Sequence, residues 1–139
     1  LQALPKLTTP GALLVGDDAG FLNVLKIKGS HTAMKSGMLA ADTVYGALAG
    51  GDAGGSDLVG YRKAFEQSWL YQELESSRNV GPALHKLGML GGSAYAFLDQ
   101  FVLRGNAPYT LTDPTPDHAT LKTTAEAKPI VYPKPDGVI

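Results

Sequence analysis

The stretch from Ala12-Leu13-Leu14-Val15-Gly16-Asp17 to Ser30-His31-Thr32-Ala33-Met34-Lys35-Ser36-Gly37-Met38-Leu39-Ala40-Ala41 decides how this chain folds. Ala12 to Val15 is a short continuous apolar run bounded by Pro10-Gly11 and Gly16, which reads as a buried strand of a parallel or mixed sheet. Ser30 supplies N-cap chemistry for a helix. Met34, Gly37, Met38, Ala41, Val44, Tyr45 and Leu48 recur at three- and four-residue steps, giving that helix one apolar face, and Gly50-Gly51 ends it. At about 1.5 Å per residue the helix is roughly 30 Å long. A strand feeding a long helix, with more helices after it, makes the expected class α+β.

Working outward, Asp52 to Ser56 is a small-residue connector, and Asp57 can cap a second helix carrying Leu58, Tyr61, Phe65, Trp69 and Leu74. Gly81-Pro82 interrupts it. A third helix is expected from about Met89 to Leu103, apolar except for Asp99 and Gln100, with Arg104-Gly105 as its C-terminal signal. From Thr110 to Ile139 most of the prolines gather and no helical period is sustained, which reads as an extended linker or surface strap. Three regions result: 1–50, 51–111 and 112–139.

With 139 residues, 44% of them hydrophobic and 18% charged, the chain can bury one modest core and is too apolar for disorder. Lys+Arg 12 against Asp+Glu 13 leaves a formal net charge of -1, so no basic field exists to hold nucleic acid. The absence of cysteine excludes a disulfide, a thiolate nucleophile and any Cys-ligated zinc or iron–sulfur site within this sequence. No uncharged run reaches the roughly 20 residues of a spanning helix, which leaves membrane-surface association open. Leu1 is not an initiator methionine and no signal-peptide pattern follows it, so an internal segment of a longer protein is expected.

Gly16-Asp17 at the end of a strand is chemically specific. The glycine lets backbone approach a ligand, and the carboxylate accepts hydrogen bonds from ligand hydroxyls such as those of a sugar or ribityl chain. The helix start near Ser30 points free N–H groups and a positive dipole end outward, suited to a carbonyl or an enolate-like charge of the kind a reduced flavin carries. The plainer alternative makes Gly16-Asp17 a turn and Ser30 a cap. His31 either hydrogen-bonds a flavin edge or caps the backbone. Thr32 either meets the pyrimidine edge or ribityl chain and adjusts the reduction potential, or bonds its own helix backbone. His31, His85 and His118 lack ligand spacing, so no metal site is expected. Ser30, His31 and Asp17 lack a Gly-x-Ser-x-Gly elbow, which removes a hydrolase triad from consideration. Lys26, Lys28 and Lys35 form a basic cluster that is most simply solvated.

The run Gly16-Asp17-Asp18-Ala19-Gly20-Phe21-Leu22-Asn23-Val24-Leu25-Lys26-Ile27-Lys28-Gly29-Ser30-His31-Thr32-Ala33-Met34-Lys35-Ser36-Gly37-Met38-Leu39-Ala40-Ala41 resembles the second flavin-binding motif of the electron transfer flavoprotein–ubiquinone oxidoreductase family. The resemblance extends to Leu4-Pro5-Lys6-Leu7, to Ser68-Trp69, Glu73-Leu74 and Arg78-Asn79, and to Tyr132-Pro133-Lys134-Pro135-Asp136-Gly137. Leu25 stands where the family usually has proline, which loosens the approach to the helix. Asp17-Asp18 stands where many members have less acidic pairs.

The resemblance implies a peripheral enzyme on the bacterial cytoplasmic or mitochondrial matrix face of the inner membrane. It takes electrons from reduced electron transfer flavoprotein and passes them to ubiquinone, using FAD and a [4Fe-4S] cluster. Residues 1–50 would then be the end of a Rossmann-like FAD-binding domain, 51–111 a helical quinone- and membrane-associated region, and 112–139 a linker toward an iron–sulfur domain. Gly16 and Asp17 would hold the ribityl end, and Gly29, Ser30, His31, Thr32 and Ala33 the pyrimidine end. The dinucleotide fingerprint and cluster cysteines of the family are missing from this sequence, so the segment alone is expected to be inactive.

The Met89 to Leu103 helix reaches only about 22 Å against a hydrocarbon core of roughly 30 Å, so it cannot span. It is either a buried core helix or an interfacial one, and the family places a membrane-facing helix here. Leu90, Tyr95, Phe97, Leu98, Phe101 and Val102 would then form the membrane and quinone face, with Arg104 at the headgroups. The Gly88 to Gly92 spacing is read as close packing. Two other readings are a related FAD-dependent reductase of the geranylgeranyl-reductase or nitrogen-fixation type, and a non-catalytic membrane-docking module.

Overall fold

The computed structural model describes residues 1–52, 54–113 and 115–137. It is a small α+β fold with one two-stranded sheet and a succession of helices. β1 (Thr8–Thr9) pairs with β2 (Ala12–Leu13) in antiparallel register, Thr8 opposite Leu13 and Thr9 opposite Ala12. Gly11 turns the ribbon at φ 78, a left-handed value that suits glycine. The expected buried strand of a parallel or mixed sheet is therefore corrected. Among the described residues the Ala12 strand has only the Thr8 strand beside it, and Leu14 and Val15 are exposed, because no further layer covers them.

Helix α1 covers Ser30–Ala49 and ends at Gly50, as its spacing and terminal glycines predict. Ser30 is its first helical residue and not its cap; Gly29 takes the cap position, with no side-chain bond. Its buried face also differs from the expected one. Thr32, Ser36 and Ala40, one turn apart, face the core, while Met34 is 70% exposed and Met38, Tyr45 and Leu48 are exposed too. Small side chains let α1 lie close against its neighbours: the Tyr61 hydroxyl donates to the Ser36 carbonyl at 3.4 Å.

The expected second helix is two. α2 (Gly60–Glu66) and α3 (Trp69–Ser76) are separated at Ser68, whose extended backbone (ψ 161) breaks the spiral while its hydroxyl donates back to the Phe65 carbonyl. Asp57 does not cap α2; it accepts from the Lys6 ammonium at 2.8 Å. Leu7, Ala19, Phe21, Ala40, Tyr61, Phe65, Leu70 and Leu74 form the core, which joins the N-terminal ribbon, α1, α2 and α3. Phe21 tilts onto Phe65 with ring centroids 4.9 Å apart, a favourable aromatic geometry.

α4 runs Val80–Phe97 and takes Gly81-Pro82 into its first turn, where proline's missing N–H costs no hydrogen bond. The break lies further on, at Gly88 (φ 69, ψ -177). In an unbroken helix residues 84 and 92 would stand about 12 Å apart. Here a β-carbon on Gly92 would lie 2.5 Å from the Leu84 α-carbon, so the chain turns back on itself and Gly92 permits the approach. The close packing expected of the Gly88 to Gly92 spacing is found at Gly92 alone; Gly88 makes the kink and has open space where a β-carbon would stand. A π-helical turn, Leu98–Val102, follows, with the Leu103 amide donating to the Leu98 carbonyl. Gly105 (φ 73) closes it against Ser76, whose backbone oxygen leaves no room for a β-carbon.

The segment 105–111 is strapped down by Arg78 and Asn79. Arg78 donates to the carbonyls of Glu75, Gly105 and Ala107, and Asn79 accepts from the Leu111 amide and donates to the Tyr109 carbonyl. Beyond it the described residues 115–137 are exposed wherever their burial is given, with one short 3-10 turn at Asp117–Thr120.

Candidate functional site

Gly16, Asp17, Gly29, Ser30, His31, Thr32 and Ala33 converge at the N-terminus of α1. Gly16 (φ 73) opens a 3-10 turn, Asp17–Ala19, and its amide donates to the Ser36 hydroxyl at 2.8 Å, which itself donates to the Ala33 carbonyl. A β-carbon on Gly16 would sit 3.7 Å from that of Ala33, so the turn rests directly on the helix. The Asp17 carboxylate lies against the Gly29 α-carbon, where a β-carbon would meet its oxygens at 2.4 and 2.6 Å. Asp17 and Ser30 remain exposed. An anionic acceptor thus stands beside the positive end of a 20-residue helix.

The donors of that helix end are not equivalent. The Ala33 amide is used by the Gly29 carbonyl at 2.7 Å, leaving Ser30, His31 and Thr32 as the amides without an intrahelical acceptor. The Thr32 hydroxyl is buried and donates to the Gly29 carbonyl at 2.7 Å, the local backbone bond that was the plainer of its two readings.

His31 turns toward α3. Its Nε2 lies 2.7 Å from Glu73 Oε1, and its ring stacks on Trp69 at 6.0 Å and 5° between planes. Glu73 also accepts from the Asn23 amide at 2.9 Å and pairs with Lys26 at 3.0 Å. Burial would raise the Glu73 pKa. The hydrogen bonds from His31, Asn23 and Lys26, with the Lys26 charge, outweigh it and hold the carboxyl down at about 2. Lys26 is therefore an ion-pair partner and not simply solvated. Asn23, itself buried, fixes the Asn23-to-Lys28 turn by accepting from the Lys26 amide, and Ile27 sits in that turn at φ 51. Glu73, Asn23 and Trp69 were not singled out as site residues from the sequence; nothing in linear spacing links position 73 to position 31.

The second group of residues lies on the far arm of α4 and the π turn. Leu90 is 89% exposed and Phe101 72%; Phe97, Leu98 and Val102 are also exposed, and the Phe97 and Phe101 rings stack at 4.7 Å. Tyr95 is half-buried and its hydroxyl donates to that of Tyr109 at 3.4 Å; burial, that bond and the nearby Asp99 push its pKa well up. The polar pair Asp99 and Gln100 turns inward: Asp99 is 1% exposed, and the Gln100 amide donates to the Ser76 carbonyl and to Asp99. One face is left almost wholly apolar. No helix among the described residues is long and apolar enough to cross a membrane.

His85 pairs with Asp113, and the His118 side chain lies outside the described residues. Among the described residues no three His, Cys, Asp or Glu side chains gather as a metal site.

No protein-family model matches the chain. Curated proteins do. The chain is 57% identical over 137 residues, 99% of its length, to an electron transfer flavoprotein-ubiquinone oxidoreductase of Pseudomonas aeruginosa. This chain is homologous to one segment of such proteins. It is 50% identical over 99% of its length to a probable electron transfer flavoprotein-ubiquinone oxidoreductase of Acinetobacter baylyi, and 44% identical over all of it to the mitochondrial protein of Rattus norvegicus. It covers 25%, 27% and 23% of those three relatives, so it spans about a quarter of their length.

Proposed function

We propose that this chain is part of a membrane-associated flavoprotein that passes electrons from reduced electron transfer flavoprotein to ubiquinone. The observation that carries the reading is the 57% identity, over 99% of the chain, to a relative of that name. In this reading residues 1–50 belong to the end of an FAD-binding domain of Rossmann-like type. Residues 51–111 belong to a quinone- and membrane-associated region, and 112–139 to a linker.

The residues at the start of α1 fit FAD. Asp17 offers an exposed carboxylate to ribityl hydroxyls, Gly16 lets backbone approach them, and the Ser30, His31 and Thr32 amides offer donors and a positive field at the pyrimidine end. When bound, FAD supplies reversible electron acceptance and donation. The protein's part is to bind it, to favour its negatively charged reduced form with the helix end, and to hold the Thr32 hydroxyl in one rotamer through Gly29. A [4Fe-4S] cluster finds no ligands in this sequence, which has no cysteine, and no step of it is assigned here.

The apolar face of Leu90, Phe97, Leu98, Phe101 and Val102 suits a monotopic seat on the inner membrane, where ubiquinone is dissolved. The test uses the intact flavoprotein with reduced electron transfer flavoprotein and a short-chain ubiquinone. Quinone reduction is expected, and Asp17→Ala is expected to lower the FAD retained on purification at least tenfold. Full FAD retention by Asp17→Ala would remove the site assignment; no quinone reduction would remove the activity.

A further inference from the structure

The cluster around Glu73 joins α3 to the first turn of α1 across 42 residues of sequence. Its geometry is more specific than an ion pair. Glu73 Oε1 accepts from Asn23 and stands 2.7 Å from His31 Nε2, while Oε2 pairs with Lys26 Nζ at 3.0 Å. The Asn23 carbonyl end is used by the Lys26 amide, so the Asn23 side chain cannot flip without losing both bonds. Trp69 lies parallel to the imidazole, with ring centroids 6.0 Å apart.

We infer that Glu73 is a positioning residue that holds His31 as the Nε2–H tautomer and presents its Nδ1 at the N-terminal turn of α1. An ionised carboxylate only accepts, so Nε2 must carry the proton that Glu73 receives as a hydrogen bond. The low pKa of Glu73, about 2, keeps it in that form at neutral pH. In neutral imidazole one nitrogen then remains, and it is Nδ1, which covalent geometry places beside the residue's own backbone. Nδ1 is therefore the ring nitrogen left as an acceptor, on a residue of the first turn of α1. Under the flavin reading, on which this last step rests, that acceptor lies at the helix end that would hold the flavin, and its loss would alter the pH dependence of the flavin potential.

The experiment is nitrogen-15 NMR of histidine imidazoles in the intact protein, with His31 assigned by its loss in His31→Gln. In the unsubstituted protein, neutral His31 is expected to give the Nε2–H pattern. In Glu73→Gln, whose amide can donate as well as accept, the pattern is expected to move to a mixture or to Nδ1–H, and Glu73→Asp is expected to lie between. An Nδ1–H pattern in the unsubstituted protein, or a pattern indifferent to Glu73→Gln, overturns the proposal. Where Glu73→Gln does not fold, the pattern of the unsubstituted protein and Glu73→Asp decide it. The flavin step is read separately as the pH dependence of the flavin potential. His31→Gln and Glu73→Gln are expected to flatten that profile alike, and the double variant no further than either. A tautomer set by Glu73 together with a pH profile that neither variant alters sustains the positioning role and removes the flavin connection alone.

Discussion

The Asp17 carboxylate occupies the space that a side chain on Gly29 would need: a β-carbon there would meet its two oxygens at 2.4 and 2.6 Å. Gly29 has an ordinary backbone conformation, φ -116, so what a side chain there would meet is the end of the exposed Asp17 side chain and not a torsional barrier. The contact joins the Asp17 turn to the helix that follows it. Gly29→Ala is expected to displace the Asp17 carboxylate and to destabilise the protein by about 1 kcal/mol, the lower end of overpacking, because an exposed side chain can swing aside. Adding Asp17→Ala is expected to recover most of that loss. Urea unfolding midpoints of the three variants measure it, and a Gly29→Ala protein as stable as its parent would contradict the contact.

Gly92 and Leu84 pose a similar test in the helical hairpin. A β-carbon on Gly92 would clash with the Leu84 backbone at 2.5 Å, and backbone cannot rotate away as a side chain can. Gly92→Ala is expected to cost about 1–3 kcal/mol. Trimming the partner, Leu84→Ala, is expected not to rescue it, because the obstructing atom remains. Thermal melts of the single and double variants decide between these outcomes.

Glu73 makes stability depend on acid. Its carboxyl pKa falls from 4.5 to about 2 on folding, so the folded state binds fewer protons than the unfolded state across that interval. The associated stability is complete above about pH 4.5 and is lost as pH falls toward 2. Hydrogen bonds to a charged group contribute about 1.5–3 kcal/mol, and solvent around the partner side chains Lys26 (52% exposed) and His31 (37%) places the effect near the lower end. Glu73→Gln is expected to reduce stability at pH 6 and to flatten its fall between pH 4.5 and 2. Denaturant midpoints at several acidic pH values, compared with the parent, give the answer.

The apolar face of α4 and the π turn predicts lipid binding that salt does not abolish. Each buried Phe side chain is worth about 1.5–3 kcal/mol. Phe97→Asp/Phe101→Asp is expected to weaken partition into liposomes on the order of 100-fold, with little loss of fold stability since both rings are exposed. Flotation with vesicles at low and high salt measures this. Unchanged flotation of the double variant would rule the face out as a membrane seat.

Local chemistry made much of this protein legible from sequence. The limits of α1 follow from Gly50 and the recurrence of apolar residues, and of the glycines at 88 and 92 the second does sit at a close approach. The sequence assigned Gly16 and Asp17 to one end of a ligand and Gly29 to the other, and their direct contact came only with the fold. The orientation of α1 was not readable. Its apolar stripe predicted the buried face, yet Thr32, Ser36 and Ala40 face the core, since close approach of α2 rewards small side chains over large ones. Nor was the break at Ser68 readable, where a side-chain bond to the preceding turn competes with helix continuation.

The sequence by itself determined where α1 ends, which residues can accept or donate at its start, and that no thiolate chemistry occurs within it. Only the tertiary structure decided that His31 meets Glu73 and Trp69, that Asp99 and Gln100 turn inward, and that Phe97 and Phe101 are left together outside. The reason is physical. Caps, turns and periodicity act over a few residues and are written in order along the chain, whereas pairings across 42 residues depend on how closely packed elements bring their surfaces together.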